Sequence, residues 1–369
     1  MSRFIAARNR VAARESALAA CPQEWSGPYD FVQLADSQFG LVRAIKGTSK
    51  LQWVNRLTFN LTKRLIPIPR DLRPDLTPDE ADEAEKEMLR MAVRAINAMQ
   101  PAPAFVVVCG DLVNAFPSQP ELQATQVADF QTEIGAVKPD IPLVCLCGNH
   151  DIGDRPTADA IAVLAERFGD DYFAFTVRGV RYLVLNTQLY KDCTACPELQ
   201  AAQEAWLDGQ LDAASLAGVR HLVVFSHVMP FIDDPDEGSG YFNLAREVRG
   251  PLLEKLHKAG ATKWFCGHYH RNAGGCFRST LEVVVSGAVG ANITHDPAGD
   301  RVGLTGMDGV TIGPDTSGLR VVHVGEGEIT HEWKLLKDLI PEVDDSAVGV
   351  RTPRQTARRS TGGKDSSRI

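Results

Sequence analysis

Residues 147–153 read "CGNHDIG" and follow the apolar run "IPLVCL" of residues 141–146. An apolar run of this length predicts a buried β-strand. A simple turn after it would need only Gly148 and Asn149, so the added His150 and Asp151 indicate a chemical role. If these residues belong to a larger site, other strands of the chain should end in similar residues.

Strand and helix patterns alternate along the chain. Apolar runs near 29–36, 104–111 and 141–147 alternate with helical patterns near 78–99, 121–136 and 157–168. A hairpin is predicted at 171–188, helices near 198–213 and 244–258 precede strands at 221–226 and 262–266, and strands near 281–286, 319–324 and 328–334 follow. Apolar strands alternating with helices predict an α/β fold with its strands buried on both faces.

Composition divides the 369 residues into three regions. Residues 1–25 form an Arg-rich arm that predicts a solvated helix, with a mitochondrial presequence as the alternative. Residues 26–340 form one domain, in which the polar, proline-rich segment 40–80 is an insertion or lid loop. Residues 341–369 have few apolar side chains and predict a disordered basic tail.

Charge and cysteine content restrict the class of protein. The net charge of −8 argues against a body that binds nucleic acid. No apolar run approaches the roughly 20 residues that span a membrane. Four of the eight cysteines, Cys109, Cys145, Cys147 and Cys266, lie in apolar runs. The lone "CTAC" at 193–196 lacks the second pair of a zinc site. Free thiols indicate a reducing compartment, so the expected location is the cytoplasm or the nucleus.

Five predicted strands end in Asp, Asn or His. In α/β sheets, the edge at the carboxyl ends of the strands is where sites form. Carboxylate, imidazole and amide oxygen suit divalent metals, and a glycine before Asp111 lets the backbone approach closely, which favours Asp111 as a bridge between two ions. The residues that follow the strands are Asp36, Asp111, Asn149, His150, His227, His268 and His270.

The order and spread of these motifs resemble the calcineurin-like metallophosphoesterase family over about residues 29–335. The family pattern runs DxH, GDxxD, GNHD/E, H and GHxH, and this chain has "DSQ", "GDLVN", "GNHD", His227 and "GHYH". The resemblance implies a four-layered α/β/β/α sandwich with two divalent metals, drawn from Mn, Fe, Zn or Mg, at the carboxyl edge of the sheets.

The resemblance also implies a role for each residue. His150 would donate a proton to the leaving oxygen after attack by a metal-activated hydroxide, and Asp151 would orient a neighbour or cap a helix. Arg271 would hold a phosphate oxygen, with a surface salt bridge as the equal alternative. The first metal would take Asp36, Gln38 and His270, the second would take Asn149, His227 and His268, and Asp111 would bridge them.

Two positions depart from the family pattern. Gln38 replaces the usual His, and an amide oxygen is a weaker ligand than imidazole. Asn114 replaces an Asp that orients the catalytic His in many members. An amide side chain can still accept a hydrogen bond from His150, but it brings no charge that would raise the pKa of His150.

The metal motifs imply hydrolysis of phosphate esters and do not by themselves identify the substrate. The neighbouring stretches "DSQFG", "GNHDIG", "GDDYF", "GHYHRNAGG" and "GLRVV" resemble the protein phosphatases within this family. This closer resemblance implies a phosphomonoesterase with phosphoserine or phosphothreonine of proteins as the substrate. A cyclic-nucleotide or other phosphodiesterase of the same fold is the alternative, and a catalytically dead scaffold is a third interpretation. No membrane partner is expected.

The tail contains a second resemblance. Residues 354–364, "RQTARRSTGGK", are similar to the N-terminal tail of the third core histone, with Arg354 and Arg359 in place of two lysines. A solvated tail without function is the plain interpretation. The resemblance implies instead that Thr356, Ser360 and Lys364 are modified, and that kinases or chromatin-type readers bind this segment.

Overall fold

The computed structural model of the chain describes residues 24–47, 77–213, 215–295, 299–303 and 307–339. Most of the predicted arm, the centre of the 40–80 insertion and the basic tail therefore lie outside the described residues. No helix in the described ranges has the length and apolar character needed to span a membrane.

Two mixed sheets form the centre of the fold. The first has the strand order β13-β12-β1-β2-β3, and the second has the order β4-β5-β6-β7-β9-β8. The first sheet consists of β1 (Tyr29–Leu34), β2 (Val106–Val108), β3 (Leu143–Cys145), β12 (Gly318–Val324) and β13 (Ile329–Leu335). The second consists of β4 (Phe173–Val177), β5 (Val180–Val184), β6 (His221–Phe225), β7 (Ala261–Cys266), β8 (Ala273–Phe277) and β9 (Leu281–Val285). A separate ribbon pairs β10 (Asn292–His295) with β11 (Met307–Thr311).

Helices flank the sheets. They are α1 (Leu41–Gly47), α2 (Pro78–Ala98), α3 (Pro120–Ile134), α4 (Asn149–Ile152), α5 (Ala158–Phe168), α6 (Gln188–Lys191), α7 (Pro197–Gln210), α8 (Arg246–Lys258) and α9 (Leu336–Leu339). Thr77 begins α2 with a capping box, because its side chain accepts from the Glu80 amide and Glu80 accepts from the Thr77 amide.

Three apolar clusters separate four layers. One cluster joins β1, β2 and β3 to α2, α3 and α5, and another joins β6, β7 and β9 to α7 and α8. The third fills the space between the sheets. At its centre the ring of Phe31 stacks on Phe105 at 4.7 Å and meets Tyr182, Phe225 and Phe265 edge-on. The predicted α/β/β/α sandwich is confirmed.

Most predicted elements are present, with shifted ends. The hairpin turns at Arg178-Gly179, as predicted, and α7 ends at Gln210 rather than near 213. The sequence reasoning missed β8, because "AGGCF" contains two glycines and few strand-forming residues.

The start of the predicted 40–80 loop is helical and packed. In α1, the side chains of Leu41 and Val42 are buried. Glu85 of α2 accepts hydrogen bonds from the amides of Gly40 and Val42, which fixes the first turn of α1. Burial raises the pKa of Glu85 to about 8. Only residues 48–76 of the predicted insertion fall outside the described chain.

Candidate active site

One edge of the sandwich brings the predicted ligands together. Because β1, β2 and β3 run parallel, their carboxyl ends meet, and the same holds for β6 and β7. The loops after these strands carry all seven predicted ligands, and none of the seven is more than 5 % exposed. They are Asp36, Gln38, Asp111, Asn149, His227, His268 and His270.

The backbone of these loops is strained. Of the eight non-glycine residues with positive φ in the described chain, five are predicted ligands. This conformation costs roughly 1–3 kcal/mol for a residue with a Cβ, and it persists where the surrounding structure imposes it. The five are Asp36 (φ 53°), Gln38 (40°), Asp111 (48°), His268 (69°) and His270 (53°).

Asp111 lies at the centre of the edge. Two groups of side chains have ligand atoms within 4.8 Å of one another: Asp111 with His227 and His268, and Asp111 with Asp36 and His270. Asp111 belongs to both groups. Its Oδ2 lies 3.2 Å from His227 Nε2, and its Oδ1 accepts from the amide of His150 at 2.9 Å. A carboxylate shared in this way can bridge two ions.

Backbone carbonyls fix two of the histidines. His227 Nδ1 lies 2.8 Å from the carbonyl of Cys109, and His270 Nδ1 lies 2.6 Å from the carbonyl of Ala291. A carbonyl only accepts, so Nδ1 of each ring carries a proton and Nε2 is the nitrogen that faces the site. His270 Nε2 lies 3.4 Å from Asp36 Oδ1. Burial lowers the pKa of His270 to about 4, which keeps the ring neutral, the form that binds a metal.

The amide of Asn149 is oriented from both sides. Its Nδ2 donates to Asp154 Oδ1 at 2.9 Å and to the Tyr241 hydroxyl at 3.3 Å. Its Oδ1 therefore faces His227 Nε2, at 3.2 Å. The Tyr241 ring also packs against His268, with centroids 5.2 Å apart.

Gln38 offers an oxygen that the surrounding protein leaves unsatisfied. Its Nε2 donates to Asn114 Oδ1 at 3.4 Å, while its Oε1 is buried and has no hydrogen-bond partner within the described ranges. A buried carbonyl oxygen without a partner costs roughly 1–3 kcal/mol, and a cation at that point would remove the cost. This orphaned oxygen fits a metal ligand.

The electrostatics and space around the carboxylates also fit cations. Burial raises the pKa of Asp36 well above its usual range, so an ionised Asp36 needs a compensating positive charge. Burial opposes ionisation of Asp111 too, but His227 and His150 outweigh it and lower its pKa. A Cβ at Gly148 would lie 2.2 Å from Asp111 Oδ1. Glycine is therefore required where the "GNHD" loop passes the shared carboxylate.

His150 is oriented by the main chain. Its Nδ1 lies 2.6 Å from the backbone carbonyl of Asn114, and its Nε2 lies 4.0 Å from Asp111 Oδ2. The ring of Phe116 packs on the imidazole, with centroids 4.3 Å apart. This corrects the expectation that the Asn114 side chain accepts from His150. That side chain contacts Gln38 instead, so an Asn at this position leaves the contact to His150 intact.

Asp151 supports the loop from behind. Its carboxylate accepts from the amide of Gly148 at 2.7 Å and from the amide of Leu112 at 3.2 Å. These contacts join the loops after β2 and β3. Burial raises the pKa of Asp151 to about 7. The geometry agrees with an orienting role and not with direct metal contact.

Arg271 lies beside the ligand loop. Its guanidinium carbon is 3.7 Å from the centroid of the Tyr269 ring, a stacked arrangement that fixes the plane of the group. Tyr269 itself is buried between the two ligand histidines, and its hydroxyl accepts from Arg301 Nε at 3.2 Å.

The sequence reasoning missed the residues that hold the loop between β6 and α8. Lys191 Nζ donates to the carbonyls of Gly240 and Asn243, on either side of Tyr241. Burial lowers the pKa of Lys191 to about 8. Nothing in the sequence marks these contacts, because they depend on the path of the loop. Asp154 had a weak signal, since it lies five residues after Asn149 in the motif loop.

Comparison with known proteins is consistent with this site. The zebrafish (Danio rerio) serine/threonine-protein phosphatase CPPED1 is 40 % identical over 317 residues, covering 86 % of this chain and 88 % of that protein. The mouse (Mus musculus) CPPED1 is 41 % identical over 317 residues, covering 86 % and 87 %. Among solved structures, Plasmodium GAP50, described as the anchor in the inner membrane complex, matches with a TM-score of 0.50 at 11 % identity, covering 85 % and 86 %. At that identity the likeness shows the fold alone.

The sequence profile of one family, described as calcineurin-like phosphoesterase, matches residues 78–272. This range contains Asp111, Asn149, His227, His268 and His270, and the CPPED1 alignments cover 86 % of the chain. On this profile match and this identity, the chain belongs to the calcineurin-like phosphoesterase family.

Proposed function

We propose that the chain is a phosphomonoesterase that removes phosphate from phosphoserine or phosphothreonine of proteins. The observation that carries the proposal is the position of Asp111, which belongs to both groups of candidate ligands while His150 Nε2 lies 4.0 Å from its Oδ2. The related chains named serine/threonine-protein phosphatase support the choice of substrate class.

The seven candidate ligands divide into two sets that share one residue. When bound, two divalent ions would supply Lewis acidity and lower the pKa of a water in the site from 15.7 towards about 7. One set would be Asp36, Gln38 and His270, the other would be Asn149, His227 and His268, and Asp111 would contact both ions.

His150 would act as the general acid. The Asn114 carbonyl holds the Nδ1 proton, so any proton that His150 gives away comes from Nε2, on the side that faces Asp111. An imidazolium that donates from Nε2 to the leaving oxygen returns to the neutral Nδ1–H form that the carbonyl already stabilises. Phe116 covers one face of the ring and limits the access of water from that side.

Arg271 would contact a phosphate oxygen. Stacking on Tyr269 fixes the plane of the guanidinium, and a planar pair of N–H groups suits two phosphate oxygens. This would place a positive group beside the loop that carries His268 and His270.

The first test of the proposal compares substrates on the metal-loaded full chain. We expect a phosphoserine peptide to be hydrolysed at least about tenfold faster than bis-(4-nitrophenyl) phosphate or a cyclic nucleotide, a barrier difference of about 1.4 kcal/mol. Asp111→Asn should abolish turnover while the exposed control Asp140→Asn retains it. Faster hydrolysis of the diesters would replace the proposal by the phosphodiesterase alternative, and absence of all turnover would support the scaffold.

The second test concerns His150. His150→Ala should slow the phosphoserine peptide roughly 100-fold, because an alkoxide leaves poorly without a proton. The same change should affect 4-nitrophenyl phosphate much less, since nitrophenolate needs little protonation. Equal losses on both substrates would exclude His150 as the general acid.

A further inference from the structure

Two buried glutamines on α3 contact the backbone of the same residue near the candidate site. Gln123 and Gln126 are three residues apart and therefore share a face of the helix. Gln123 Nε2 donates to the carbonyl of Ala115 at 3.1 Å, and Gln126 Oε1 accepts from the amide of Ala115 at 2.8 Å. The two side chains together form hydrogen bonds with both the carbonyl and the amide of Ala115. We call Gln123 and Gln126 with these two contacts the glutamine clamp.

Gln123 also holds the loop that carries His150. Its Nε2 lies 3.3 Å from the carbonyl of His150 and 3.1 Å from the carbonyl of Asp151. Its Oε1 accepts from Arg167 Nη1 of α5 at 3.2 Å, which fixes the orientation of the amide. Gln123 therefore joins the loop after β2 to the loop after β3, as Asp151 also does.

The position of Gln126 is equally constrained. A Cβ built on Gly40 would lie 2.0 Å from Gln126 Nε2, and Gly40 has a φ of +98°. The Gln126 amide thus occupies space that exists only because residue 40 is glycine. Gly40 is the last residue of the loop between β1 and α1, which carries Asp36 and Gln38, so the clamp contacts the end of this loop as well.

The residues on either side of Ala115 are those that contact the imidazole of His150. The Asn114 carbonyl lies 2.6 Å from His150 Nδ1, and the Phe116 ring packs on the imidazole. Ala115 is buried and makes neither contact itself. Its two hydrogen bonds to α3 consequently fix both of its neighbours relative to the ring.

We propose that Gln123 and Gln126 are positioning residues that set the orientation of His150 through the 114–116 segment. The inference rests on the proposed function of His150 as the general acid. It predicts that loss of the clamp removes proton donation selectively, without removing the candidate ligands.

Kinetics with two leaving groups give the first readout. In Gln123→Met, we expect the ratio of kcat/KM for a phosphoserine peptide to that for 4-nitrophenyl phosphate to fall about tenfold, since small displacements of a catalytic group cost this much or more. Gln126→Met should act in the same direction, whereas Gln126→Glu retains an acceptor for the Ala115 amide and should keep most of the ratio. Gln131→Met, on the same helix, makes none of the clamp contacts and serves as the unchanged control.

The background of His150→Ala separates the clamp from the proposed function. If the clamp acts through His150, the double variant Gln123→Met/His150→Ala should have the same ratio of kcat/KM for the two substrates as His150→Ala alone. A lower ratio in the double variant than in His150→Ala overturns the inference. The inference is also overturned if His150→Ala lowers the ratio and Gln123→Met leaves it unchanged. An unchanged ratio in His150→Ala itself refutes the general-acid function instead.

A measurement without turnover completes the test. The Nδ1 proton of His150, assigned in ¹⁵N-histidine spectra by its loss in His150→Ala, should exchange slowly with solvent in the parent chain. Gln123→Met and Gln126→Met should accelerate that exchange with no change in metal content per chain, while Gln126→Glu and Gln131→Met should not. Identical exchange in all four variants overturns the inference whatever the activity shows.

Discussion

The Nε2 of Gln38 lies 3.4 Å from Oδ1 of Asn114, so the two positions that depart from the family pattern contact each other. Because Nε2 makes this contact, Oε1 is the other end of the amide, and it is buried with no hydrogen-bond partner within the described ranges. It also occupies the Asn114 side chain, whose backbone carbonyl remains the group that holds His150. The two departures thus form one local arrangement, and the contact to His150 comes from the main chain of Asn114 and not from its side chain.

Replacement of Gln38 tests whether its oxygen is a ligand. Gln38→His should tighten the weaker metal site by about tenfold, because imidazole is the stronger donor and changes around such sites commonly have effects of this size. Calorimetric titration of metal-stripped protein with Mn²⁺ measures the change. Superimposable titrations of the two proteins would show that Gln38 does not contact a metal. Asn114→Asp is the companion variant, since it alters the partner of Gln38 and leaves the Asn114 carbonyl in place.

Gly148 should not tolerate a side chain. In Gly148→Ala, the new Cβ would lie 2.2 Å from Asp111 Oδ1, so we expect loss of metal and of turnover from a chain that still folds. Gly250→Ala is the matched control, because nothing lies within 4 Å of the added methyl group and Gly250 lies inside α8. That control should gain roughly 0.5–1 kcal/mol in unfolding free energy. Metal content and urea unfolding measure both effects, and full metal retention in Gly148→Ala would refute the close approach.

The stability of the second sheet should depend on acid pH through Glu282. His331 lies 3.2 Å from Glu282 and forms a hydrogen bond with its carboxylate. This hydrogen bond, together with Lys263, outweighs the opposing effect of partial burial and lowers the pKa of Glu282 from 4.5 to about 2. A carboxyl group whose pKa is lower in the folded state contributes stability above its unfolded pKa and loses it as the pH falls through the folded value. The contribution is therefore full above about pH 5 and lost between about pH 5 and pH 2.

Urea unfolding of the parent chain and of Glu282→Gln tests this dependence. The stability difference between the two proteins should be larger at pH 7 than at pH 3, with the parent more stable at pH 7. A Glu282→Gln difference that is independent of pH would contradict the assigned pKa shift.

The shared location of six of the seven candidate ligands was predictable because they follow apolar strands, whereas Gln38 was assigned only through the resemblance to the family pattern. Asp36, Asp111 and His227 come directly after β1, β2 and β6, and parallel strands bring such residues to one edge whatever the details of packing. The same reasoning recovered the order of most helices and strands and the two-sided burial of the sheets, but it missed β8, β10 and β11. It misplaced element ends by one to a few residues, as for α7, because fraying and capping decide those ends.

Contacts that depend on loop paths or on backbone atoms were not predictable. Tyr241 meets Asn149 only because the loop after β6 returns across the site. The Asn114 carbonyl that holds His150 has no signature in the sequence, since every residue has a carbonyl. Gln123 and Gln126 look like ordinary polar positions of an amphipathic helix until the fold places Ala115 between them.

Metal stoichiometry measured together with turnover tests the central claim, that one edge of the sandwich holds two ions around Asp111. Metal-stripped chain would be titrated with Mn²⁺ while the ions bound per chain and the hydrolysis of a phosphoserine peptide are followed in the same samples. We expect turnover to rise as the second equivalent of Mn²⁺ binds and to stop rising at two ions per chain. In Asp111→Asn, we expect both binding steps to be impaired. Full turnover by the stripped chain, or at one ion per chain, would contradict the central claim.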